Sequence, residues 1–93
     1  MRKIERSSAF KRDYKRVSKG RHGADLDDVL VPILIALASN KTLEPVHCDH
    51  NLTGNWSGFR ECHIKPDLLL IYKKPDDETL KLARMGSHSE LFG

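Results

Sequence analysis

A chain of 93 residues with 39% hydrophobic and 31% charged side chains has the composition of one folded domain, residues 1–93, with room for a single modest core. That excludes a second domain and long disordered tails. The net charge of +3 conceals an asymmetry: residues 1–22 carry nine Lys and Arg against Glu5 and Asp13, and the remainder carries seven against eleven Asp and Glu. A basic patch localised in this way favours a polyanion or an acidic protein partner, with binding that weakens as salt rises.

Residues 2–6 read as a short edge strand. Ser7 or Ser8 caps a first helix that runs to about Lys19 and stops at Gly20, with Phe10, Tyr14 and Val17 on one face. Its outer face holds Lys11, Arg12, Lys15, Arg16 and Lys19, and like charges four residues apart repel, which is tolerable where the helix meets an anion. Asp25 and Asp28 resemble a capping box for a second helix through about Ser39, whose buried stripe is Leu26, Val29, Leu30, Ile33, Leu34 and Leu37. Pro32 removes one backbone donor and should kink it. Asn40 supplies a left-handed residue at its end.

Residues 41–55 form a long polar loop, of the kind that is often functional in small domains, with a tight turn at Thr53-Gly54-Asn55. Strands follow at Trp56–Ile64, Leu68–Lys74 and Thr79–Met85, joined by Lys65-Pro66-Asp67 and Pro75-Asp76-Asp77-Glu78 as hairpin connections. The expected fold is α+β: two N-terminal helices covering one face of a twisted antiparallel sheet of about four strands, the opposite face partly open. The apolar run Val29–Ala38 is too short to span a bilayer, so no membrane association and a cytoplasmic location are expected. Cys48 and Cys62 are then free thiols.

Four groups able to move protons near neutral pH lie in the second half: His50, His63, Asp67 and His88. Gathered beside cations such as Arg60 and Arg84, they are what metal-free cleavage of an RNA phosphodiester needs. One group deprotonates the ribose 2′-OH, another protonates the leaving 5′-oxygen, and a cation stabilises charge on the phosphoryl oxygens. His63, Asp67 and His88 sit at neighbouring strand ends, and His50 reaches them if its loop folds over the sheet.

A zinc site from His47, Cys48, His50, Cys62 and His63 is disfavoured, because structural zinc ligands come in pairs two to four residues apart and Cys62 and His63 are adjacent. Neither cysteine has the setting of an activated nucleophile, and no glycine-rich phosphate loop is present. No cofactor is expected. Trp56 and Phe59 read as packing residues, whereas Phe92, near the C-terminus, is suited to stack on a base. Two rival functions remain, a non-catalytic RNA-binding module and a protein-interaction domain using the basic helix alone.

The run from Asp49 to Asp67, with Leu70-Ile71-Tyr72 and Arg84-Met85-Gly86-Ser87-His88-Ser89-Glu90-Leu91-Phe92, carries the pattern D-H-x-L-x-G-x-W, R-x-x-H-x-x-P-D, L-I-Y and R-x-G-[ST]-H-x-x-L-F. In this it resembles the YafQ branch of the RelE-type toxins. The resemblance implies a RelE-like fold and a ribosome-dependent mRNA endonuclease that cuts translated mRNA in the A site. It implies as partners a cognate antitoxin of ribbon-helix-helix type, the 70S ribosome with its mRNA, and operator DNA only through the antitoxin. Its functional positions fall on His50, His63, Asp67, His88 and Phe92, with Arg84 a phosphate contact, His88 the general acid and Asp67 or His63 the base. The basic first helix would dock on ribosomal RNA. Leu68 stands where the family pattern has Trp, which implies that a stacking partner is missing and that base preference is shifted.

Overall fold

The computed structural model describes residues 1–93. In chain order its elements are β1 (Lys3–Arg6), α1 (Ser8–Ser18), α2 (Leu26–Ala38), β2 (His50–Asn51), β3 (Arg60–Lys65), β4 (Leu68–Asp76), β5 (Thr79–Gly86) and α3 (His88–Phe92). The α+β class is as expected, but the sheet has five strands in the order β1-β5-β4-β3-β2 and is mixed. The meander is antiparallel, while β1 joins β5 in parallel, with Ile4 opposite Leu80. Two residues of β2 are too few to show alternation in a sequence, which is why the outer strand escapes a pattern search.

Ser7 starts α1 by accepting a hydrogen bond from Phe10 N at 3.0 Å, and its own hydroxyl donates to Ala83 O at 2.7 Å, so the cap also fixes the helix on β5. Phe10, Asp13 and Val17 form its buried side. The capping box expected at Asp25 and Asp28 does not form. A single 3₁₀ turn, Gly23–Asp25, leads into α2, and the Asp25 carboxylate instead accepts from Lys65 Nζ at 2.6 Å. The second helix continues through Pro32 as one element. Pro32 lies on the exposed side, where water can satisfy the carbonyl it leaves without a partner. Asn40 takes φ +60° at its end, the left-handed residue anticipated there.

Alternation along the strands divides the core in two. Cys62, Ile64, Leu68, Leu70, Tyr72, Leu80, Leu82 and Met85 face the helices and pack with Phe10, Leu26, Leu30, Ile33 and Leu37. Leu69, Ile71 and Ala83 face away and are covered by Leu91, Leu52, Trp56 and Phe59. The second face is therefore less open than expected. The residue 52–59 segment folds across it, with Trp56 and Phe59 edge to face at 5.2 Å and Lys73 Nζ 4.8 Å from the Phe59 ring centre. Gly54 and Gly58, at φ +66° and +93°, give the backbone turns this requires, and β3 accordingly begins at Arg60, four residues later than the pattern indicates.

Helix α3 is not anticipated from periodicity, because five residues do not hold a helix in water, although Ser87-x-x-Glu90 is a capping-box signature. Here Ser87 Oγ accepts from Glu90 N, Glu90 Oε1 accepts from Ser87 N, and Leu91 is buried on the sheet, a burial that contributes about 1.5–3 kcal/mol.

Candidate active site

Strand register assembles the site. His63 lies opposite Leu69 and Leu69 opposite Gly86, so the end of β3 is two strands from the start of α3. His63, Asp67 and His88 consequently line one shallow pocket of about 440 Å³ with Pro66, Leu69, Ser87 and Ser89. His88 is the first residue of α3 and its ring lies 5.1 Å from that of Phe92, one turn on. Phe92 is exposed while its neighbour Leu91 is buried, so the helix is anchored by one side chain and presents the other beside His88.

His50 joins through a carboxylate that no motif marks. Glu61 shares a strand face with His63, pairs with His50 across β2 and β3, and is only 6% exposed. Its Oε1 lies 3.6 Å from His63 Nε2 and 3.7 Å from His50 Nε2. His50 Nδ1 donates to Cys48 O at 2.7 Å, which fixes its tautomer and leaves Nε2 as the nitrogen that exchanges a proton. His63 Nδ1 has no partner within the chain, and His47 Nδ1 donates to His63 O at 2.8 Å, pinning the long loop to β3. Period-two alternation is the signal that could have found Glu61, which stands two positions before His63 on the same strand.

Asp67 is gripped from α1's far end. Arg21 Nη2 donates to Asp67 Oδ2, and His22 Nε2 stands 3.2 Å from Oδ1. Burial, then the charges of Lys65 and Arg21, hold the His22 imidazole below its ordinary value. Arg21 and His22 carry no signal in the sequence, because only the folding of α1 over the sheet brings them to the β3–β4 turn. Asp67 and Ser87 also wall a second pocket of about 300 Å³ lined by Arg16, Arg21, His22 and Glu90.

Several expected groups are not brought to this edge. Arg60 shares the helix-side face with Tyr72. It pairs with Asp49 at 3.2 Å, and its Nη1 donates to Asn51 Oδ1 at 2.6 Å, while Tyr72 Oη donates to the same Asp49 at 2.5 Å. The hydrogen bond to Asp49 holds the Arg60 guanidinium above its usual value. Arg60 therefore braces the loop carrying His50 and does not line the pocket of His63, Asp67 and His88. Arg84 gives Nε and Nη2 to the buried Asp13 at 2.6 and 3.1 Å, leaving Nη1 for an anion. On α1 and its C-cap, Lys11, Arg12, Lys15, Arg16 and Lys19 are all exposed, but Arg16 is bound to Asp13, Glu90 and Met85 O. Its guanidinium is thus tied to partners within the chain. Leu68 is 2% exposed in the helix-side core, so position 68 is packed and presents nothing to a base.

Burial, with Asp49 and Glu61 adding to it, pushes the Cys62 thiol up to about 12, which rules it out as a nucleophile at neutral pH. Cys48 and Cys62 are both free. No three His, Cys, Asp or Glu side chains gather as a metal-ligand set, and no helix is long and apolar enough to cross a membrane.

An α+β sheet with proton-carrying groups at one strand edge defines, together with the matches to known proteins, a bacterial toxin of the type II toxin–antitoxin class. The family model described as the bacterial toxin of type II toxin-antitoxin system, YafQ, matches residues 2–93. The chain belongs to the YafQ toxin family. It is 37% identical over 92 residues, 99% of this chain and 97% of the relative, to the mRNA interferase toxin YafQ of Escherichia coli K12. Among solved structures it resembles a metal-bound toxin from Helicobacter pylori at 47% identity, TM-score 0.87, covering 99% of this chain and all of that one. It also resembles YafQ in the E. coli DinJ–YafQ complex at 36% identity, TM-score 0.85, covering all of both chains.

Proposed function

We propose that this chain is an endoribonuclease toxin that cleaves mRNA on the translating ribosome by acid–base catalysis carried by its own side chains. The observation that carries this reading is the convergence of His63, Asp67 and His88 on one pocket, with the exposed Phe92 ring beside His88. It is supported by 37% identity to a relative named as an mRNA interferase.

In the mechanism, Phe92 stacks on a base of the mRNA and holds the neighbouring phosphate over the pocket. His63 takes the ribose 2′-OH proton at Nδ1, its free nitrogen, while Glu61 beside Nε2 stabilises the imidazolium that forms. The 3.6 Å separation is typical of an unliganded site, where such contacts are loose and tighten around substrate. The 2′-oxygen attacks phosphorus, and the 5′-oxygen leaves with a proton from His88. A 2′,3′-cyclic phosphate and a 5′-hydroxyl result, so atoms and charges balance without water or metal in the first step. His50 shares Glu61 and assists in the same proton pool. Asp67, held by Arg21 and His22, shapes the pocket wall.

The site is shallow, so naked RNA is poorly oriented and cleavage is slow; the ribosome supplies orientation, an effect that reaches several powers of ten in rate. Lys11, Arg12, Lys15 and Lys19 offer ribosomal RNA a cationic face. The relative's complex with DinJ supports a cognate antitoxin as partner; in this reading the antitoxin is inhibitory, of ribbon-helix-helix type, and the link to operator DNA. The whole chain acts as a single domain in the cytoplasm.

Primer extension on a translated reporter mRNA tests this, using wild-type protein and His88→Ala, in cells and on the same purified RNA without ribosomes, with and without EDTA. New cuts in translating cells that vanish in the variant and survive chelation are expected. Cuts that persist in His88→Ala would remove the proposed acid, and loss with EDTA would transfer the chemistry to a metal.

A further inference from the structure

Arg16 lies on the basic face of α1, yet each nitrogen of its guanidinium has a partner within the chain. Nη1 donates to Asp13 Oδ1 at 2.8 Å, Nη2 donates to Met85 O at 3.1 Å, and Nε pairs with Glu90 Oε2 at 3.0 Å. Asp13 is 2% exposed, and it also accepts from Arg84 and from Met85 N at 3.0 Å, which makes it a fixed point on β5. Glu90 is the residue whose other oxygen caps α3. Arg16 thus bridges the rigid junction of α1 with β5 to the helix that carries His88.

The backbone is shaped around this bridge. A Cβ on Gly86 would come within 2.9 Å of Arg16 Nη2 and 3.1 Å of Glu90 Oε1, so the pair would have to shift to admit one. Gly86 therefore lets the Arg16–Glu90 pair close directly over the turn from β5 into α3. The pair is half-exposed and adds little to overall stability. Its effect is geometric, because a five-residue helix has few other ties and every degree of tilt moves its first residue.

We propose that Arg16 is a positioning residue that sets α3, and with it His88 and Phe92, against the pocket. The inference rests on the reading of His88 as the general acid. An arginine is required because one guanidinium must meet a carboxylate, a carbonyl and a second carboxylate in different directions, which a lysine ammonium on its flexible stem does not reproduce.

Two readouts separate positioning from docking. Arg16→Ala and Arg16→Lys should both lower the single-turnover cleavage rate on programmed ribosomes, about ten- to a hundredfold, with ribosome affinity and its salt dependence unchanged. Hydrogen exchange at the Leu91 and Gly93 amides should quicken in both. Glu90→Gln, which keeps an acceptor for Ser87 N and loses the charge, should act in the same direction, and the double variant Arg16→Ala with Glu90→Gln should be no worse than Arg16→Ala. Full rescue by Arg16→Lys, or a flatter salt dependence at unchanged cleavage rate, would make Arg16 a docking cation and overturn the proposal. Unchanged exchange at Leu91 and Gly93 would overturn it too. If His88→Ala cleaves like wild type, the acid assignment fails by itself, and the exchange measurement still decides whether Arg16 sets α3.

Discussion

His63 Nε2 stands 3.6 Å from Glu61 Oε1, a buried carboxylate that His50 approaches from the neighbouring strand. This places one buried carboxylate beside two imidazoles of the proposed site. Glu61→Gln keeps the size and the hydrogen-bonding oxygen and removes the charge. Single-turnover cleavage on ribosomes should fall about 10²-fold, with ribosome affinity retained. A wild-type rate would show that Glu61 only packs between the rings.

Asp13 makes a pH prediction. Burial raises the pKa of its carboxyl, but hydrogen bonds from Arg84, Met85 N and Arg16 outweigh this and hold it below the ordinary 3.8. Because the folded value is lower than the unfolded one, the stabilisation is complete above about pH 4 and is lost as pH falls through the folded value. At neutral pH Asp13→Ala should lose about 3 kcal/mol, since it strands two guanidinium groups that keep partial access to water. Urea unfolding at pH 7 and pH 3 should show the gap between wild type and variant narrowing in acid. A constant gap would mean that Asp13 acts by packing.

The four free cations of α1 predict a salt effect. Neutralising Lys11, Arg12, Lys15 and Lys19 together should weaken ribosome binding and reduce the slope of log affinity against log salt by up to about one for each phosphate no longer neutralised. The cleavage step, once the complex is saturated, should not change. Binding titrations at several salt concentrations measure both, and an unaltered slope would assign the basic face to another partner.

The two thiols should differ sharply. Cys48 is exposed and Cys62 is buried, with its thiol pushed up to about 12. Iodoacetamide at pH 8 should modify one cysteine in the folded protein and both after denaturation, as read by mass spectrometry. Rapid modification of two would mean that the sheet opens at β3.

What the sequence determined was local and periodic. Ser7 before an apolar stripe fixed the start of α1, and Asn40 fixed the end of α2. The hairpin turns made β3, β4 and β5 an antiparallel meander, and the strand-end positions of His63, Asp67 and His88 followed from that. The resemblance carried by residues 49–92 placed the chain in its family. Pairings between residues far apart in the chain were decided only by tertiary structure. Parallel pairing of β1 with β5 joins Ile4 to Leu80, and no local pattern encodes it. The same holds for Arg21 and His22 at Asp67, Asp13 beneath Arg84, and Arg16 against Glu90. Charge in a sequence says that a side chain needs a partner or water; only the packing of α1 across β5 decides which. That is why Arg16, as cationic as its neighbours on a basic helix and exposed like them, is tied to Asp13, Met85 and Glu90.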